Sequence, residues 1–570
     1  MRVYEAIVKG LEDVGVTAAF GGAGENAAGM MIALKNSASV RGVISRHEQA
    51  ASFMACGYAM YTNKLGVCFA TAGPGAFNLF SGLAVALSDS YPVLAISGFS
   101  SLDWRGKGSL NETSGLARTP DSQAMFAATT KKSVLLEDIS KLPDVLEDLI
   151  HTAFEGRPGP VHLHVPENLA HPDVKVPNWR KIALKVAPVT PDPNRVAEVA
   201  GVLTQALAKG KKVLVLAGFG AIRAGAGPEL KAFVDKFQTP FATTQDGKGI
   251  VSEHHPLAVG TFCDSGHASA WKAFLAADVV LCVGNALNQH ATFNYKAGLF
   301  DGKTLIHLNI SADEIDKAYK ADYAIVGDAK LSMAALNAAM AAAKPSPQPF
   351  AAKSCAEEMT QPLTHLTGKI HPGQMAQAIS RLLPKDAIVL ADAGAHLAWM
   401  AYYLRLDETQ LFRKAGEFGP MAGHTNGAIG LRAAIPDRPI VVCCGDGCYN
   451  LAGFELMTAV QYGLPVIWVI FDDAEFKLIK LFQLETFHES GLVEFTNPDW
   501  AAYAKACGAE GVRVESLNDF ETAFSAALAS RRPTVIDAHI TRLALPHYAP
   551  SPEGIIGEIV EKLKERVGLE

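Results

Sequence analysis

Apolar runs that end abruptly in glycine or aspartate restrict the fold of this chain more than any other feature. The clearest case lies between Val441 and Lys480. The run Val441-Val442-Cys443-Cys444 breaks at Gly445-Asp446-Gly447, and a helical stretch from Phe454 to Val460 follows and stops at Gly463-Leu464-Pro465. A second run, Val466 to Phe471, then delivers Asp472-Asp473-Ala474-Glu475. Runs with no polar alternation suit strands buried on both faces, as in a parallel sheet covered by helices. In such a sheet both runs present their carboxyl ends on one edge, where open α/β sheets bind ligands. Asp446 and Asp473 are therefore expected side by side, with loop carbonyls nearby. Two carboxylates, a backbone oxygen and a bound phosphate form the hard-oxygen set that Mg²⁺ takes.

The same alternation recurs along the chain. Strands are expected at Ala18 to Phe20, Val43-Ile44, Leu65 to Thr71, Val93 to Ser97 and Val161 to Pro166. Proline-rich Ala187 to Pro193 reads as a connector, because proline fixes the backbone and removes a donor. A middle unit carries strands at Val213 to Ala217, Val279 to Val283 and Thr304 to Asn309, and a second linker runs from Ala343 to Pro349. The last unit repeats the plan at Ala387 to Ala391, Ile440 to Cys444, Val466 to Phe471 and Thr534 to His539. The fold class is thus α/β, with three domains of doubly wound parallel sheets at 1–185, 190–345 and 365–545 and a tail at 546–570. The first and third share one coarse plan.

Composition narrows the function. With 49% hydrophobic and 19% charged residues, the chain of 570 residues is globular and long enough for several cores. A net charge of −7 gives no electrostatic reason for a nucleic-acid or acidic-membrane partner. Met1-Arg2-Val3-Tyr4 lacks a signal-peptide layout and no apolar run has transmembrane length, so a cytoplasmic location is expected. The nine cysteines lack paired CxxC spacing and read as core thiols.

Gly445-Asp446-Gly447, with Asp473 twenty-seven positions after Asp446, resembles the signature of thiamine diphosphate enzymes, which begins GDG and usually ends in two asparagines. Further blocks resemble the same family in the same order. They are Arg46-His47-Glu48-Gln49-Ala50-Ala51, Thr71 to Asn78, Asp89-Ser90-Tyr91-Pro92-Val93, Asp392-Ala393-Gly394-Ala395-His396 and Gly419-Pro420-Met421-Ala422. Within the family the chain is most similar to the acetolactate synthase-like group of 2-oxo acid decarboxylases and carboligases. The catabolic type in that group also carries aspartate at the second metal position.

The resemblance implies thiamine diphosphate and Mg²⁺ as cofactors. It assigns Glu48 to the aminopyrimidine ring as the catalytic carboxyl group, a role that calls for a pKa raised by burial. It places Gly73, Pro74, Asn78, Gly394, Ala395, His396, Gly445 and Gly447 around the cofactor, with the Gly419 carbonyl on its amino group and Met421 between its rings. Asp446, Asp473 and the carbonyl of Glu475 would bind the metal. Active sites would form between subunits of a homodimer or homotetramer. Each residue also has an ordinary structural use: a helix N-terminal carboxylate for Glu48, a tight turn for Gly73 to Gly75, core filling for Met421.

Some positions depart from the synthase pattern. Asp472-Asp473 stands in place of the asparagine pair, Phe99 replaces a glutamine, and Ala422-Gly423-His424-Thr425-Asn426 replaces Gly-Phe-Gly-Leu-Pro. The acceptor side of the pocket is therefore expected to differ, with His47, Phe99, Asn111 and His424 as candidate substrate contacts. In the middle domain, Leu216 to Arg223 is a glycine turn similar to the part that holds FAD in some members. It lacks the third glycine and downstream acid of a dinucleotide fingerprint, so an empty middle domain is preferred over FAD.

Overall fold

In the computed structural model, residues 1–344, 354–363 and 369–546 are described. The second linker from residue 345 onward and the tail from 547 to 570 lie outside them.

The described residues form three six-stranded parallel sheets. The first contains β1 (Ala18–Gly21), β2 (Arg41–Ile44), β3 (Gly66–Ala70), β4 (Val93–Phe99), β5 (Lys132–Leu135) and β6 (Pro160–Pro166), in the order β2-β1-β3-β4-β6-β5. The second contains β7 (Val213–Ala217), β8 (Phe241–Thr243), β9 (Ala258–Thr261), β10 (Val279–Val283), β11 (Thr304–Asn309) and β12 (Tyr323–Val326). Its order is β12-β11-β10-β7-β8-β9. The third contains β13 (Ile388–Ala391), β14 (Leu411–Lys414), β15 (Ile440–Gly445), β16 (Ile467–Asp472), β17 (Glu510–Val514) and β18 (Thr534–His539), ordered β14-β13-β15-β16-β18-β17. The first and third sheets therefore have identical topology, as their shared sequence plan implies. The middle sheet instead has the order of dinucleotide-binding folds, with its switch point between β7 and β10.

The central strands are those read from unbroken apolar runs, and they are buried along nearly their whole length. Strands absent from the sequence reading are short or peripheral. β5 and β17 are edge strands with several partly or fully exposed positions, while β8 has only three residues. Asp192 caps the helix Pro193–Ala208 by accepting from the Asn194 amide. The proline connector thus ends one residue earlier than its composition suggests, because proline is well suited to the first helical position.

Domains one and three share a core. The helix Glu48–Met60 of the first crosses the helix Gly423–Ala434 of the third, and Phe20, Phe53 and Tyr58 join Ile429, Val442 and Trp468 in one apolar cluster. Glycines permit the crossing: a Cβ on Gly57 would lie 1.9 Å from the Gly427 carbonyl oxygen. Polar contacts extend the joint. The Glu455 carboxylate accepts from the Arg46 and His47 amides at 2.9 and 3.0 Å, which fixes the entry to the Glu48 helix.

Candidate active site

The register of β15 and β16 brings Gly445 opposite Phe471, so the residues after each strand emerge together at the carboxyl edge. Asp446 opens the short helix Asp446–Ala452 directly, several residues before the helix expected there. Its carboxylate is almost fully buried and accepts from the Gly447 amide (2.8 Å), the Ala474 amide (2.7 Å) and Asn497 Nδ2 (2.7 Å). Burial, followed by the neighbouring Asp473 carboxylate, pushes Asp446 up to about 8. Burial likewise pushes Asp473 up to about 6, against the pull of Lys477, whose Nζ is 3.6 Å from Asp473 Oδ2. Two buried carboxylates that resist ionisation side by side are what a divalent cation would relieve.

The turn between them is held from three sides. Ala474 adopts φ +54°, and Arg542 donates to the Asp473 carbonyl at 2.6 Å and to the Ala474 carbonyl at 3.2 Å. The buried Glu475 carboxylate is clamped between Lys477 and Lys480, the latter at 2.7 Å. Asn497 Nδ2 also reaches Asp472 Oδ1 at 2.9 Å, so one amide ties the ends of both strands. The sequence reading gives Asn497, Arg542, Lys477 and Lys480 no role in the site. Asn497 and Arg542 are remote in sequence from the residues they hold, and neither carries a recognisable local pattern.

A cavity of about 270 Å³ opens over this edge. Gly394, Ala395, His396, Gly419 and Met421 line one part of it, and Gly445, Asp446, Gly447, Asp473 and Glu475 another. His396 is buried, and burial holds its imidazole down to about 4, so it is neutral at pH 7. Its Nε2 has no hydrogen-bond partner among the described residues. Such an orphaned buried nitrogen needs a polar ligand. Trp399, Phe471 and Ile540 supply apolar walls. Behind the cavity, Asp392 accepts from the Thr425 amide at 3.1 Å and hydroxyl at 2.7 Å, which joins the end of β13 to the helix after Met421. A paired acidic site, an orphaned imidazole and an apolar flank fit a magnesium diphosphate joined to an aromatic ring system.

Every described residue lining this cavity lies between Pro372 and Ala544, so Glu48 is elsewhere in the same chain. Glu48 begins its helix, partly exposed, and its Oε2 accepts from Asn78 Nδ2 at 2.9 Å. Gly22 and Gly75 make room for it; a Cβ on Gly22 would sit 2.5 Å from the Glu48 side chain. The loop at Gly73 (φ +64°) and Pro74 lies beside Asn111, whose Cβ would be 3.0 Å from a Cβ on Gly73. Glu48, Gly73, Pro74, Asn78 and Asn111 thus form a second surface, on the first domain.

The remaining candidates have other surroundings. His47 is exposed and caps the Glu48 helix, its Nδ1 accepting from the Gln49 amide at 3.1 Å. Phe99 is buried, edge-on to His164 at 5.1 Å between ring centres. His424 is buried and donates from Nε2 to the Lys414 carbonyl at 2.6 Å. None of these three lines the cavity over the third sheet's carboxyl edge. A larger cavity, of about 650 Å³, opens at the switch point of the middle sheet and is lined by Gly218, Phe219, Gly220, Arg223, Gly284 and Asn285, among others.

Comparison with known proteins agrees with this architecture. The N-terminal TPP binding domain of thiamine pyrophosphate enzymes matches residues 1–123, the central domain 201–336 and the C-terminal TPP binding domain 392–538. The chain belongs to the thiamine pyrophosphate (thiamine diphosphate) enzymes and is a thiamine diphosphate-dependent enzyme of acetolactate synthase-like type. It is 32% identical to the acetolactate synthase large subunit of Parasynechococcus marenigrum over 88% of this chain and 81% of that protein. It is 29% identical to the probable acetolactate synthase large subunit of Methanocaldococcus jannaschii over 99% of this chain and 96% of that one. The Escherichia coli acetolactate synthase isozyme 2 large subunit is also 29% identical, over 99% of this chain and its own full length. Among the described residues no helix is long and apolar enough to cross a membrane.

Proposed function

We propose that the protein is a thiamine diphosphate- and Mg²⁺-dependent carboligase. It takes a 2-oxo acid or related ketone, cleaves the bond beside the carbonyl and passes the retained fragment to an acceptor, as the names of its relatives suggest. The observation that carries this reading is the third-domain cavity, which gathers the Asp446–Asp473 pair, the orphaned His396 nitrogen and the Gly419–Met421 turn.

Asp446, Asp473 and the Glu475 carbonyl would hold Mg²⁺ and, through it, the diphosphate. His396 would turn its unpartnered Nε2 toward a polar atom of the bound cofactor. The Gly419 carbonyl would accept from the pyrimidine amino group, and Met421 would keep the two rings apart. When bound, the cofactor supplies the nucleophilic carbon and the electron sink for C–C cleavage. Glu48 of a partner subunit would hold a proton at the pyrimidine ring nitrogen, in a site closed to water when the two domain surfaces meet. Asn78 keeps one Glu48 oxygen engaged and leaves the other for the ring. Docking would complete the burial of Glu48, which is partly exposed on a single chain. This reading makes the protein an obligate homodimer or homotetramer, placed in the cytoplasm.

Product analysis tests the proposal. With Mg²⁺, cofactor, a 2-oxo acid and an acceptor aldehyde or ketone, wild type should release CO₂ and form a coupled product. CO₂ release without coupling would make the protein a plain decarboxylase, and no turnover of any 2-oxo acid would overturn the proposal. Glu48→Gln should keep cofactor affinity and lose exchange of the cofactor C2 proton. The cavity at the middle sheet's switch point favours one second reading, a flavin nucleotide bound there. Yellow purified protein would support that reading, and active colourless protein would exclude it.

A further inference from the structure

The block Asp89-Ser90-Tyr91-Pro92 has no part in the site described so far, yet Asp89 reaches across a domain boundary to it. The Asp89 carboxylate is buried against the backbone of Gly416: a Cβ on Gly416 would lie 1.9 Å from Asp89 Oδ2. That oxygen is 3.1 Å from Arg413, at the end of β14. Arg413 also meets Asp246 of the middle domain at 2.7 Å, donates to the Tyr91 hydroxyl at 2.9 Å and stacks on the Phe219 ring at 3.8 Å. Next to it, Lys414 reaches Asp246 at 3.7 Å and Glu417 at 2.9 Å, and Asn288 of the middle domain donates to Glu417 at 2.7 Å. Gly416 and Glu417 open the turn that carries Gly419 and Met421; the Gly419 amide donates to the Gly416 carbonyl at 2.9 Å, with Gly419 at φ +64°.

We infer that Asp89, acting through Gly416 and Arg413, is a positioning residue for the cofactor turn Gly416–Met421, and that Asp246 and Asn288 extend the same grip from the middle domain. The inference rests on the proposed cofactor role of Gly419 and Met421. Its physical content is directional. Apolar packing could join three domains at a smaller desolvation cost than four buried charges. A carboxylate seated on a glycine Cα and a guanidinium shared between two acids instead fix where the turn begins. A carbonyl aimed at an amino group and a side chain wedged between rings must be placed to within about 0.5 Å to be productive. The middle domain thereby has a task that needs no ligand of its own.

Two substitutions test this. Asp89→Asn keeps the shape and removes the charge, and Asn288→Ala removes the middle domain's hold on Glu417 while Lys414 still pairs with it. For each, the thermal melt, cofactor affinity by intrinsic fluorescence, and C2-proton exchange of bound cofactor by quenched NMR are compared with wild type. Asp89→Asn should stay folded, bind cofactor within about threefold of wild type and exchange at least tenfold more slowly. Asn288→Ala should show the same split at threefold or more. Folded variants with exchange less than threefold slowed would overturn the inference, as would exchange and affinity falling in parallel. If Asp89→Asn does not fold, Asn288→Ala decides by the same threshold. Wild type that binds no cofactor would instead refute the proposed function.

Discussion

On the proposed reading, the elevated carboxylates of Asp446 and Asp473 would make magnesium binding a proton-releasing event. Burial and the neighbouring Asp473 carboxylate hold Asp446 up to about 8, and burial holds Asp473 up to about 6. A cation that needs both ionised therefore displaces a proton at pH 7, chiefly from Asp446, and displaces less at pH 9. The stability consequence has a fixed sign. A carboxyl raised in the folded state favours folding below its unfolded pKa near 4, and that benefit is lost as pH rises through about 6 and then about 8. The metal-free protein should therefore melt at lower temperature at pH 8.5 than at pH 6, and Mg²⁺ with cofactor should narrow the difference. Calorimetric titration of Mg²⁺ in the presence of thiamine diphosphate, in two buffers of different ionisation enthalpy, counts the protons. Asp473→Asn removes the neighbouring charge that helps raise Asp446, so it should release fewer. No proton release at pH 7, or the same number at pH 9, would refute the assignment of these two carboxylates to the metal.

Three further outcomes follow from the geometry. Asn497→Ala removes the amide that orients Asp446, and metal affinity measured by the same titration should fall about tenfold, the low end for loss of a ligand's supporting hydrogen bond. Gly57→Ala drives a methyl group into the Gly427 carbonyl and should cost about 3 kcal/mol or more in a denaturant melt, since the contact is with backbone that cannot rotate away. Arg542→Met frees the Asp473 and Ala474 carbonyls and should weaken metal affinity while the first-domain surface is unchanged.

The parts of this protein legible in the sequence were those written in adjacent residues. Val441 to Cys444 and Val466 to Phe471 announce central strands because both faces are buried. The acidic residues that follow them fall on the sheet edge because parallel strands end together. β14 was missed although it carries Arg413 and Lys414, because charged residues in a strand argue against a core; here those charges are buried by pairing with Asp89 and Asp246 of other domains. Asn497 and Arg542 were missed because each acts on residues dozens of positions away, through contacts that exist only after folding. His47 and His424, the candidate substrate contacts, each also have a local backbone partner, His47 as a helix cap and His424 as a donor to a strand-end carbonyl. Asp473 in place of asparagine gains a rationale too: the added charge is partnered by Lys477.

The central claim is a catalytic centre divided between chains, with Glu48 from one facing Asp446 of another. Mixing inactive Glu48→Gln with inactive Asp446→Ala tests it most directly. Random exchange between equal amounts makes half the dimers mixed, and in each of these one of two sites would receive both native residues. Activity should recover to about 25% of wild type, because residues contributed across a two-fold interface recombine in the hybrid. If Glu48 and Asp446 served one site within a single chain, no hybrid would contain an intact site. Activity would then stay at the level of the separate variants, and the divided centre would be contradicted.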